Sequence, residues 1–146
     1  MGFTVTVRSI LKVKGGTVWS GHPDMAVYEA LELMAGKQVG ALVVLSGDRI
    51  VGMFSERDYA RKVVLHGKSS RETRVEDVMS TPVVTVTPDD TVQECMRIMT
   101  SQRIRHLPVL EAGAVAGIVS IGDLVNAIIS TQAETIVQLS SYIAGK

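Results

Sequence analysis

The sequence predicts a mixed α/β (α+β) fold built from two β-α-β-β-α units, related by pseudo-twofold symmetry and packed through their sheets. Three observations predict it. The chain matches itself at a fixed offset, and each matched segment reads as an amphipathic helix, two short apolar runs and a second helix. Its 146 residues, 46% hydrophobic and 21% charged, suffice for one domain-sized core, whereas a half-length unit buries little alone.

The self-match runs without a gap at an offset of 65 residues. Pro23 meets Pro88, Asp24 meets Asp89, Val27 meets Val92, Glu29 meets Glu94, Met34 meets Met99 and Leu42 meets Leu107. Further along, Val44 and Leu45 meet Val109 and Leu110, Gly52 meets Gly117, Ser55 meets Ser120, and Asp58 meets Asp123. A long fixed period of this kind marks a duplicated supersecondary unit.

Taken in order, "MGFTVT" alternates Phe3, Val5 and Val7 and reads as a strand. It also fits the loose myristoylation pattern M-G-x-x-x-[ST], which the strand reading outweighs. "VRSIL" and its counterpart "RVEDVM" are short helical fragments, and "TVWS" and "VVTV" are short extended runs. Leu11 to Pro23 spans three more residues than Met79 to Pro88, so "KVKGG" reads as an inserted loop. In "PDMAVYEALELMAG", Val27, Ala30, Leu31 and Met34 form one helical stripe that Gly36 terminates; Val92, Cys95, Met96 and Met99 form its counterpart. "ALVVL" and "IVGMF" joined by "SGDR", then "LPVL" and "AVAGIV" joined by "EAG", are hairpins. "DYARKVVLHG" is a helix with a glycine cap at Gly67, and "DLVNAII" is its counterpart. The units are therefore 1–67 and 75–130, with a polar linker at 68–74. A C-terminal helix at 131–146 spaces Ile136, Leu139 and Ile143 along an apolar stripe. That stripe either joins a twin subunit or covers the chain's own sheets.

Composition narrows the function. Fifteen basic and fifteen acidic side chains cancel to zero, so no overall field favours a nucleic-acid backbone. No apolar run approaches the roughly 20 residues that span a bilayer, and the start lacks an export-signal layout. The single Cys95, set among apolar residues, reads as a buried thiol and fits a reducing, cytoplasmic setting. His22 and His66 have no partners at metal-ligand spacing, and neither a Walker loop nor a GxGxxG is present, so no metal is expected.

The chemistry concentrates where the second strand of each hairpin becomes a helix. "GMFSERDYARKV" and "GIVSIGDLVNAI" keep glycine, serine and aspartate at one spacing while most neighbours differ. A helix start offers unpaired amides, and Ser55 or Ser120 adds a hydroxyl, so phosphate or ribose oxygens can be received there. Asp58 and Asp123 would repel phosphate, and their natural partners are ribose hydroxyls. The same Ser-x-x-Asp pattern also serves as a plain capping device. Gly52 and Gly117, inside strands, permit a bulge or the close approach of ligand or backbone. Positive charge is uneven. "RIRHLPV" puts Arg103, Arg105 and His106 at the start of a strand in unit two, where unit one has Gln38, Gly40 and Ala41; Arg57 and Arg61 in unit one face Gly122 and Asn126 in the match. Two non-equivalent sites follow, one near Ser55, Arg57 and Asp58, the other near Ser120 and Asp123 with Arg105 and His106. Arg103 also reads as a surface ion-pair partner.

A tandem pair of such units, each with an apolar-Pro-Val segment like "RHLPVL" and a G-h-h-S-x-x-D turn, resembles a pair of cystathionine-β-synthase (CBS) domains, a Bateman module. The resemblance covers nearly the whole chain and is greatest to small stand-alone pairs. It implies a disc, often a homodimer, holding adenosine-containing ligands (AMP, ADP, ATP, NAD or S-adenosylmethionine) in clefts between units. It also implies that the base lies against the first strand of a unit, at Thr17 and Val18 or at Thr81 and Val83. Pro108 of the apolar-Pro-Val segment joins Gly40, Ala41, Arg105 and His106 in the implied nucleotide-binding set. The expected function is a non-catalytic, regulatory sensor of an adenine nucleotide, AMP or possibly NAD(H), acting on an unidentified downstream partner. The alternatives are an enzyme acting on nucleotides and a ligand-free structural or dimerisation adaptor.

Overall fold

A computed structural model of the chain describes residues 5–131. The described residues form the mixed α/β arrangement expected, as two compact units that cut across the sequence repeat. One takes Thr17–Val84 with Gly113–Val115; the other takes the described parts of Met1–Gly16, Thr85–Ala112 and Ala116–Lys146.

In the Thr17–Val84 unit, strands β1 (Ser20–Gly21), β2 (Ala41–Ser46) and β3 (Arg49–Ser55) form a sheet in the order β1-β2-β3. β1 runs parallel to β2, and β3 runs antiparallel to it. Ala41 to Val44 are all buried, as a central strand covered on both faces requires, while β3 alternates about buried Gly52 and Phe54. Helix α2 (Val27–Lys37) lays Val27, Ala30 and Met34 into the core with Leu42, Val44, Phe54, Val63, Val75 and Val78; Leu31 is partly buried against them. Gly36 does not end this helix. The chain turns at Gln38, φ +55°, whose N–H donates to the carbonyls of Met34 and Ala35.

Beyond β3 the expected regular helix is short. α3 (Glu56–Asp58) widens into a π-helix over Tyr59–Val64, with Leu65 N–H donating to Ala60 O five residues back at 3.1 Å, before Gly67 turns at φ +64°. Six residues carry too little periodicity to separate a 3.6-residue turn from a wider one. The polar stretch after it does structural work. Ala26 brings no side-chain cap to α2, and instead Val27 N–H donates to Thr73 O (2.8 Å) and Tyr28 N–H to Ser70 O (2.9 Å). A 3₁₀ turn at Val75–Asp77 then sends Val75 and Val78 into the core.

In the other unit, Val7 opens helix α1 (Val7–Lys14) instead of continuing a strand. Thr6 Oγ1 accepts from Ser9 N–H at 3.3 Å, and this cap, with Val7 and Ile10 buried, overrides the two-residue alternation seen in sequence. Lys12 to Lys14 of the expected inserted loop are the last turn of α1, which ends at Gly15, φ +93°. Helix α4 (Val92–Gln102) is capped by Thr91 Oγ1, which accepts from Glu94 N–H, and Val92 N–H donates to Val5 O at 2.9 Å. Val92, Cys95 and Met99 are buried as expected. Arg103 ends α4 at φ +56°, the position and geometry of Gln38 in the first repeat. β4 (His106–Glu111) and β5 (Ala114–Ser120) form a hairpin turned by Ala112 and Gly113, φ +53° and +81°. "VVTV" supplies one parallel bridge, Val86 to Val109, in place of a strand. Helix α5 follows over 121–131. The expected apolar stripe of Ile136, Leu139 and Ile143 lies outside the described residues, as does Phe3.

Candidate functional site

At the first turn, Ser55 leaves β3 in extended conformation and caps α3. Its Oγ accepts from Asp58 N–H at 3.2 Å, while Asp58 Oδ2 accepts from Ser55 N–H at 2.9 Å, a reciprocal capping box. Asp58 receives more. Ser55 Oγ lies 3.1 Å from Oδ2, Ser80 Oγ donates to Oδ1 at 2.7 Å, and the Lys62 ammonium sits 3.1 Å from Oδ1. An ionised carboxylate has about four acceptor positions, so these partners fill it. Asp58 is buried. Ser80 is itself fixed to β3, donating its N–H to Met53 O (2.7 Å) and accepting from Met53 N–H (3.1 Å).

The second turn repeats the box with different company. Ser120 N–H donates to Asp123 Oδ2 at 2.8 Å, and Asp123 N–H to Ser120 Oγ at 3.2 Å. The third partner comes from α1: Lys14 Nζ donates to the same Oδ2 and to Ile118 O, both at 2.7 Å. Burial pushes the Asp123 carboxyl up, but the Lys14 ammonium and the Ser120 amide outweigh it and hold the group below the ordinary aspartate value. Among the described residues, the partners of Asp58 are spread over both oxygens, whereas the Ser120 amide and the Lys14 ammonium meet on one oxygen of Asp123.

Both turns are closed from the hairpin side in the same way. Glu56 N–H donates to Gly40 O at 3.1 Å, and Ala41 pairs with Ser55; Ile121 N–H donates to Arg105 O at 2.9 Å. The structure thus brings Gly40, Ala41, Ser55 and Asp58 together, and Arg105, Ser120 and Asp123 together, with His106 next in chain as the first residue of β4. Arg57 is exposed on α3, and Arg105 is exposed beside its turn. Thr81, exposed, follows Ser80 and so lies by the first turn. Among the described residues, no hydrogen bond ties Thr17, Val18 or Val83 to that turn, which belongs to their unit. Pro108 is buried within β4, its carbonyl accepting from Val86 N–H at 3.0 Å.

The two strand glycines have a different use from a ligand's close approach. A Cβ on Gly52 would run into the thioether of Met79, and a Cβ on Gly117 would lie 2.7 Å from Leu11 Cδ2. Each glycine makes room for a side chain packed on its strand, Met79 from just beyond the 3₁₀ turn and Leu11 from within α1.

A CBS-domain profile matches residues 22–65 and 75–130. This chain belongs to the CBS-domain family. The CBS pair is 38% identical over 152 aligned positions to the mitochondrial CBS domain-containing protein CBSX3 of Arabidopsis thaliana, covering 97% of this chain and 73% of that one. A solved CBS-domain protein of Burkholderia ambifaria is 49% identical with a TM-score of 0.84, covering 88% and 96% of the two chains. The CBS domain pair of protein MJ0100, solved in complex with 5′-methylthioadenosine and S-adenosyl-L-methionine, shares the fold at 22% identity and a TM-score of 0.78, covering 88% and 98%.

Elsewhere in the CBS pair, Cys95 is buried, and burial with Asp90 and Glu94 nearby pushes its thiol up to about 11, the behaviour of a core residue. Among the described residues no three His, Cys, Asp or Glu are grouped to hold a metal, and no helix is long and apolar enough to cross a membrane. Three residues of the turns were not singled out in the sequence. Lys62 was within reach, four residues after Asp58 on one helix. Ser80 and Lys14 were not, since they arrive from segments 22 and 109 residues away.

Proposed function

We propose that this CBS pair is a non-catalytic regulatory module that binds an adenosine-containing ligand, AMP or NAD(H), at the Ser120–Asp123 turn. The observation that carries the proposal is the contrast between the two capping boxes among the described residues: Asp58 is filled by protein partners, whereas the Ser120 amide and the Lys14 ammonium meet on one oxygen of Asp123. A ribose diol is the partner suited to that carboxylate, while the exposed Arg105 guanidinium supplies positive charge for phosphate, with His106 beside it in the chain. That a protein of the same fold was solved with two adenosine compounds supports the ligand class. The first turn, with Arg57, Gly40, Ala41 and Thr81 around Ser55 and Asp58, is the second and weaker site, and the base lies along Thr17 and Val18 or Thr81 and Val83. We further propose a homodimer in the cytoplasm that transmits occupancy to a protein partner. Such a switch can be no stronger than the ligand's differential affinity for the two states.

A thermal-shift and calorimetric screen of AMP, ADP, ATP, NAD, NADH and S-adenosylmethionine tests this. A ligand at 100 times its Kd adds about 2.7 kcal/mol of stability. Stabilisation without turnover is the expected result. Turnover of any compound would make the protein an enzyme, and no stabilisation by any of them would leave an adaptor.

A further inference from the structure

We infer that Lys14 is a tethered competitor for the second turn, so that ribose binding at Asp123 and docking of the last turn of α1 exclude one another, and that the displaced ammonium favours ligands carrying a phosphate. The inference rests on the proposed adenosine site and adds its regulation and selectivity.

Lys14 is the final residue of α1, and its ammonium reaches the turn across 109 residues of sequence. It spends two of its three N–H donors there, on Asp123 Oδ2 and on Ile118 O. The Lys14 and Asp123 side chains are 34% and 22% exposed, so solvent and solutes reach the pair. The corresponding contacts of the first turn are of another kind. Ser80 is held by two backbone bonds to Met53, and Lys62 comes from the next turn of the same helix, so neither connects Asp58 to a helix end that can lift away. α1 keeps separate anchors in Val7 and Ile10, both buried, and in Leu11 against Gly117. Loss of the Lys14 contact therefore loosens the final turn and leaves the rest of α1 docked. Gly15 at φ +93° ends the helix directly after the lysine.

Competition has a measurable signature, because a ligand whose binding-competent state is only partly populated loses affinity by that fraction. A ribose diol engages both oxygens of a carboxylate, so adenosine displaces the ammonium from Oδ2 and offers it no new anion, whereas AMP does offer one. Calorimetry with adenosine and with AMP on the full chain, on Lys14→Met and on Lys14→Arg tests the point. Amide hydrogen exchange of residues 11–15 with and without AMP is the second readout. In Lys14→Met, adenosine should bind about threefold tighter or more and the preference for AMP over adenosine should narrow. Lys14→Arg should keep the original preference, and AMP should speed exchange at residues 11–15 of the unaltered chain. A Lys14→Met protein that binds both compounds with an unchanged ratio, or AMP slowing that exchange, overturns the competition while leaving the site. No binding of either compound by any of the three proteins overturns the site and the inference together.

Discussion

The two copies meet the same requirement, a strand that must become a helix, with the same Ser-x-x-Asp box, yet they surround its aspartate differently. In the first, Ser80 and Lys62 complete the shell of a buried carboxylate. In the second, a lysine from α1 takes one oxygen of a more exposed one. Duplication preserved the local cap, and the segments delivered to it diverged. A motif of this kind is therefore read correctly only with its non-local partners in view. The same Ser-x-x-Asp pattern is joined by Ser80 and Lys62 in one copy and by Lys14 in the other.

Substitution of the aspartates should separate the copies most. Asp58→Ala strands Ser80, Lys62 and the Ser55 amide and should cost about 3 kcal/mol in urea unfolding, the loss of a charged hydrogen-bonded group from a buried position. Gly52→Ala comes next, at about 2 kcal/mol for an overpacked contact with Met79, and Met79→Ala in the same chain should recover part of it. Asp123→Ala removes the partly exposed acid of the second capping box and should cost about 1 kcal/mol. Equal losses at Asp58 and Asp123 would break the comparison. The smallest effect is a pH dependence at the second turn. Since the folded-state value of Asp123 is depressed, its contribution is fully present above the ordinary value of 3.8 and is lost as pH falls through the lower folded value. Asp123→Asn should lose that increment of acid sensitivity, measured as the change in urea midpoint on acidification.

Much of the fold was legible in the residues. The helical stripes of α2 and α4, the two hairpins and the paired turns follow from period and punctuation over short stretches. What was not legible depended on distant partners or on competing local signals. Val7 alternates like a strand but is claimed by the Thr6 cap and by burial of one helix face. Gly36 carries the residue type of a helix stop, while Gln38 carries the conformation, as Arg103 does in the other copy. The stretch at 68–74 reads as a linker because it is polar, yet its carbonyls cap α2. At the site, Ser55, Asp58, Ser120 and Asp123 were visible as a repeated pattern. That the two turns differ was also expected, from the uneven placement of Arg57, Arg105 and His106; that their aspartates differ through Ser80 and Lys14 was not.

The most direct test of that inequality is a calorimetric titration of AMP into the unaltered chain, Asp58→Asn and Asp123→Asn. The account predicts a single dominant site per chain that survives Asp58→Asn and disappears in Asp123→Asn. Two equivalent sites, or a site abolished by Asp58→Asn and retained by Asp123→Asn, would contradict it.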